Sequence, residues 1–100
     1  MIRLLCLLAL TSACLWPAER RVFLGTQYYR PPNPREGDWD RDLARIRQTG
    51  VPVIRTWVYW ARVNPRPGVW EFGEYDRLFD LAEKHGLKVL VQLMADVAPY

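Results

Sequence analysis

VIRTWVYWARVNPRPGVWEFGEYD, residues 53–76, runs from an apolar strand carrying one arginine, through a long aromatic loop, into a helix. Strands covered on both faces are nearly continuous apolar runs, so Arg55 beside Trp57, Tyr59 and Trp60 is out of place as core packing. In barrels of alternating strands and helices, the C-terminal ends of the strands carry the active site. The connection from Tyr59 to Phe72 exceeds the roughly 2 to 6 residues usual for a strand-to-helix loop, and such excess length marks functional loops. Pro65, Pro67 and Gly68 give it a fixed turn.

Working outward, Val22–Tyr29 is rich in aromatic and apolar residues and is stopped by Pro31, Pro32 and Pro34, which predicts a strand followed by a loop. Asp38 is placed to cap a helix whose apolar face is Trp39, Leu43 and Ile46. Asp40 and Asp42 come early, Arg45 and Arg47 late, and Gly50 closes it. Val51–Val58 is the second strand. Gly73 opens a second helix with an apolar stripe at Tyr75, Leu78, Phe79 and Ala82, ending at Lys84, His85 and Gly86. Leu87–Met94 is the third strand.

The order is strand, helix, strand, helix, strand, with apolar centres near Leu24, Ile54 and Leu90 that lie 30 and 36 residues apart. A (β/α)8 barrel spends about 31 residues per unit, so residues 19–100 read as a partial (β/α)8 TIM barrel with its first three parallel strands and two helices. A three-stranded doubly wound domain is the alternative; it lacks the Gly-rich first turn of a nucleotide-binding version, since YRPPNPREG follows strand one.

Residues 1–18, MIRLLCLLALTSACLWPA, have a basic start at Arg3, an apolar run from Leu4 to Leu10 and small residues at Thr11, Ser12 and Ala13. This pattern predicts a signal peptide and export to the periplasm, the cell surface or the medium. Cys14 follows Thr-Ser-Ala as in a bacterial lipoprotein signal and is a candidate for lipidation and membrane anchoring; the alternative is an ordinary cut at Ala13 or Ala18. Cys6 and Cys14 both lie in this leader, leaving no disulfide and no zinc cluster for the rest of the chain. All but one of the 14 basic and all 11 acidic residues follow it, with the signs interleaved, so there is no electrostatic case for nucleic acid. No metal and no cofactor is expected.

An arginine cannot shed its proton, so Arg55 requires a carboxylate or several carbonyls. Pointing into a barrel mouth it would hold a catalytic carboxylate ionised; facing the helices it would pair with an acid such as Asp42. Trp57, Tyr59, Trp60 and Trp70 offer flat faces suited to sugar C–H surfaces, or pack the loop. Gln27 and Tyr28, ending strand one, are candidates for lining a pocket. Asp96, just past strand three, can bind a sugar hydroxyl or simply cap a turn. His85 complements the end of its helix. A retaining glycosidase needs two carboxyl groups about 5 to 5.5 Å apart, and Glu19, Glu36, Glu71 and Asp96 supply no convincing pair.

From Leu24 to Pro99 the chain resembles the start of the catalytic barrel of the family 42 glycoside hydrolases, the β-galactosidase family. The resemblance is carried, in order, by Tyr28-Tyr29, Trp39, Asp42-Leu43, Gly50-Val51, Val53-Ile54-Arg55, Trp60, Pro65, Gly68, Phe72, Asp76, Ala82, Gly86-Leu87 and Ala98-Pro99. Single elements of this set also occur in families 35 and 5. The resemblance implies a retaining hydrolase of β-galactosides, or of a related oligosaccharide, with a Glu acid/base and a Glu nucleophile beyond Tyr100. It also implies that Arg55 is the strand-two arginine that hydrogen-bonds the nucleophile, and that the fragment alone is inactive. Arg30-Pro31-Pro32-Asn33 stands where the family usually has Pro-Glu-Gln-Trp, and Asn64-Pro65 stands for Glu-Pro. The spacing from Arg55 to Trp60 is one residue shorter than the family's. These departures bear on which sugar is recognised rather than on the barrel. A non-catalytic carbohydrate-binding barrel lipoprotein is the competing reading.

Overall fold

The computed structural model describes residues 24–95. The leader, Cys14 and Asp96 lie outside the described residues. Three strands, β1 (Gly25–Gln27), β2 (Val53–Tyr59) and β3 (Lys88–Met94), form one parallel sheet in sequence order. Between them lie α1 (Trp39–Gln48), the one-turn α2 (Trp60–Val63) and α3 (Gly73–Lys84). This is the expected βαβαβ order, and the fold is a partial TIM barrel.

Both long helices lie on one side of the sheet. Trp39 and Leu43 of α1 and Leu78 and Ala82 of α3 are fully buried, with Ile46 and Phe79 packed beside them. They close on Ile54 of β2, which is also fully buried. Side chains alternate along a strand, so Ile54 and Thr56 serve this core while Arg55 between them cannot. Gly50 and Gly86 end the helices at φ 84° and 68°, the left-handed geometry that glycine adopts without strain. Polar contacts tie the two helical segments together: Lys84 Nζ and His85 Nε2 meet Asp40 at 2.9 and 2.7 Å, and Arg77 pairs with Glu36. The hydrogen bonds from His85 and Lys84 hold the Asp40 carboxyl below its ordinary pKa.

Three local expectations are corrected. Strand one is Gly25–Gln27 rather than a run to Tyr29, because Tyr29 turns left-handed at φ 63° and its ring enters the core. Asp38 does not cap α1 through its side chain; it ends a 3-10 turn from Glu36, and its carboxylate takes a 3.0 Å bond from Arg41 Nη2 instead. The aromatic loop is partly helical, since Trp60–Val63 forms one turn that the loop reading omits.

Candidate functional site

The helix-free face of the sheet carries the side chains that lack a core role. Parallel register aligns Gln27, Arg55 and Leu90 across the three strands, with Trp57 beside Gln92 and Tyr59 beside Met94 nearer the C-terminal ends. Arg55 Nη2 donates to Gln27 Oε1 at 3.0 Å, and its guanidinium carbon lies 6.0 Å from the centroid of the Trp57 ring. A recess of about 470 Å³, lined by Gly25, Thr26, Gln27, Val53, Arg55 and Leu90, opens on this face. Arg55 therefore faces away from the helices, and Asp42 is engaged instead by Tyr28 and Arg41.

The turn after β1 adds a second cation to this wall. The left-handed backbone of Tyr29 is costly for a bulky residue, roughly 1 to 3 kcal/mol, and persists only where neighbours fix it. Here the ring of Tyr29 stands edge-on to Trp39 at 4.7 Å, its hydroxyl meets Glu74, and its carbonyl accepts from Thr56 Oγ1 at 3.1 Å. With Tyr29 turned inward, Arg30 emerges on the opposite side, over the Trp57 ring at 4.7 Å, and donates Nε to the Tyr59 hydroxyl at 3.0 Å. Reciprocal 2.9 Å backbone bonds between Arg30 and Asn33 close the turn. Trp57 and Tyr59 meet edge to face at 6.4 Å, and the indole Nε1 of Trp57 is buried without a hydrogen-bond partner among the described residues.

Beneath this wall lies a supporting network. Burial alone would raise the pKa of the Glu74 carboxyl, but hydrogen bonds from Arg62 and Tyr29 outweigh it and hold the group below the ordinary carboxylate value. Arg62 grips Glu74 with both Nε and Nη2, at 2.9 and 2.7 Å. Tyr75 donates its hydroxyl to the carbonyl of Trp57 at 3.0 Å and accepts from the Tyr59 amide at 3.2 Å, pinning the end of β2. Asn64, 2% exposed, does the same for the loop: Nδ2 donates to the carbonyls of Arg66 and Val69, and Oδ1 accepts from Trp60 Nε1.

Of the residues singled out in the sequence, the structure brings Gln27, Arg55, Trp57 and Tyr59 together on one face. Tyr28 does not join them: it is buried toward the helices and donates its hydroxyl to Asp42 Oδ2 at 3.1 Å, with burial and that carboxylate raising its pKa. Trp60 stands apart, forming with Trp70, Phe72 and Leu93 an apolar cleft of about 280 Å³ on the Val58 side of the sheet. Trp70 and Phe72 stack there, 7° from parallel. The sequence marks Arg30 only as part of a departure from the family's pattern, because its place over Trp57 depends on the Tyr29 backbone, whereas Tyr59 stands among the aromatics beside Arg55. Among the described residues no three His, Cys, Asp or Glu side chains gather as metal ligands.

A barrel-strand arginine and aromatic wall of this kind suit a glycosidase, and comparison with known proteins identifies the family. The model of glycoside hydrolase family 42, described as beta-galactosidase, matches residues 28–99. The chain belongs to glycoside hydrolase family 42. Among family relatives, beta-galactosidase BbgII of Bifidobacterium bifidum is 31% identical over 74% of this chain and 12% of its own length. A beta-galactosidase of Thermus thermophilus is 35% identical over 68% of this chain and 10% of its own. The chain thus spans about a tenth of the length of these relatives. Among solved structures, the beta-galactosidase of the haloarchaeon Halorubrum lacusprofundi superposes with a TM-score of 0.62 at 25% identity, covering 70% of this chain and 10% of that one. The exo-beta-1,4-mannosidase Op5Man5 of Opitutaceae bacterium strain TAV5 shares the fold, with a TM-score of 0.62 at 23% identity over 73% of this chain and 15% of its own. The likeness is thus to glycoside hydrolase family 42, and the relatives it matches are named beta-galactosidases.

Proposed function

We propose that the complete protein is an exported retaining glycosidase that hydrolyses terminal β-galactosides, and that the helix-free face of β1 to β3 is one wall of its sugar site. The observation that carries this reading is the convergence of Arg55, Trp57 and Tyr59 on that face in a chain of family 42. Arg55 donates to a nucleophilic carboxylate contributed by later strands and keeps it ionised at neutral pH. Trp57 packs against the sugar ring, whose C–H face suits an indole, and Tyr59 adds a hydroxyl at the rim. A second carboxyl group, also from later strands, protonates the leaving oxygen.

The test is hydrolysis of 4-nitrophenyl β-galactoside by the complete protein, with the first-formed anomer read by proton NMR. Release of nitrophenol with β-galactose as the initial product supports the proposal. Binding of galactosides without any product would instead indicate a non-catalytic carbohydrate-binding barrel, and initial α-galactose would exclude retention. Residues 19–100 alone should give no turnover.

A further inference from the structure

Two arginines reach one indole from different elements. Arg30 arrives from the turn after β1 and Arg55 from within β2, with guanidinium carbons 4.7 and 6.0 Å from the Trp57 centroid. Their polar partners are neutral, the Tyr59 hydroxyl for Arg30 and the Gln27 amide oxygen for Arg55. Among the described residues neither forms an ion pair, whereas Arg41, Arg62 and Arg77 are each matched to a carboxylate. In the glycosidase reading Arg55 serves a carboxylate of the barrel itself. Arg30 has no such duty. It spends Nε on Tyr59 and keeps both terminal nitrogens as donors, in the planar fork that fits a carboxylate or sulfate.

We propose that Arg30 is a specificity residue for a sugar bearing an anionic substituent, a uronate carboxylate or a sulfate ester, seated against Trp57. This rests on the glycosidase reading above and narrows its substrate class. The indole supplies the apolar contact every sugar shares, and the cation stacked on that indole selects the charged sugar. The left-handed turn at Tyr29 and the reciprocal backbone bonds from Arg30 to Asn33 fix its main chain, and the Tyr59 hydrogen bond with the Trp57 ring seats its side chain. The guanidinium is therefore presented with little ordering left to lose on binding.

The experiment is calorimetric titration of the complete protein with methyl β-galactoside, methyl β-galacturonide and methyl β-galactoside 6-sulfate. One charge-assisted bidentate contact predicts binding of an anionic sugar about tenfold tighter than the neutral one, with the ratio shrinking as salt is added. R30Q should bring the ratio to about one. R30K, which keeps the charge without the fork, should retain part of it. R66Q, which removes an equal charge from the loop elsewhere, should leave it intact. A preference confined to the uronide assigns the carboxylate and one confined to the sulfate assigns the ester; either supports the proposal. Equal affinity for neutral and charged sugars, or a preference that survives R30Q, overturns it while galactoside binding stands. Failure of all three sugars to bind overturns it together with the glycosidase reading.

Discussion

Neighbouring residues of β2 should respond in opposite ways to the same truncation. Ile54 is fully buried between the helices and Arg55 is exposed on the other face, so Ile54→Ala and Arg55→Ala separate a core role from a site role one residue apart. Ile54→Ala deletes three buried carbons, a transfer loss of about 2.4 kcal/mol at roughly 0.8 per methylene. If the helices do not collapse onto the gap, a residual cavity of about 50 Å³ adds about 1 kcal/mol. The expected loss is therefore about 3 to 4 kcal/mol. Arg55→Ala removes the bond to Gln27 and, in the complete protein, the proposed contact with the nucleophilic carboxylate, and should cost about 1 to 2 kcal/mol. Urea denaturation of the complete protein reads both, as shifts in midpoint at unchanged slope. The division of the strand into a core face and a site face is refuted if Arg55→Ala destabilises as much as Ile54→Ala, or if Ile54→Ala costs under about 1 kcal/mol.

Other expectations follow from the supporting network and the leader. Glu74 has a depressed folded pKa, so its contribution is complete above about pH 4.3 and is lost as pH falls through that lower value. Glu74→Gln should cost about 1 kcal/mol at pH 7 and progressively less as the pH falls below about 4.3; a loss that stays the same as the solution is acidified would contradict this. Asn64→Ala strands the carbonyls of Arg66 and Val69 and the Trp60 indole N–H, so amides between 64 and 72 should exchange with solvent faster by tenfold or more, and unchanged exchange would count against Asn64 as the organiser of the loop. Mass spectrometry of the protein from its native host should find a mature chain beginning at a lipidated Cys14 or just after Ala13 or Ala18; retention of Met1 would refute export.

Much of the architecture is legible in the sequence because the helices announce themselves. Trp39, Leu43 and Ile46, and Tyr75, Leu78, Phe79 and Ala82, keep helical spacing, and the structure seats both stripes on Ile54. What periodicity misses is short or set by tertiary context. The single turn Trp60–Val63 is too brief for any repeat, and is closed by the Asn64 amide bonding back to the Trp60 carbonyl at 2.8 Å. Strand one is cut short by a backbone reversal at Tyr29 that no side-chain pattern records, and Asp38 looks like a cap until Arg41 claims its carboxylate.

The candidate site divides along the same line. Arg55 and Trp57 are visible because an arginine and a tryptophan near a buried strand's end have few structural uses. Arg30 is legible only as a departure from the family's pattern, since its position over Trp57 depends on the Tyr29 φ angle. Trp60 belongs with Trp57 by sequence yet faces the other side of the sheet, because the chain passes from strand to helix between them.

The pH dependence of kcat/KM on an aryl β-galactoside, for the complete protein and its R55Q variant, tests the central claim most directly. Arg55 beside an ionised nucleophile lowers that carboxylate's pKa, and its loss should move the acid limb upward by about 1 to 3 pH units on top of a fall in maximal rate. A wild-type protein without turnover, or an R55Q variant whose acid limb stays where the wild type has it, would contradict the account.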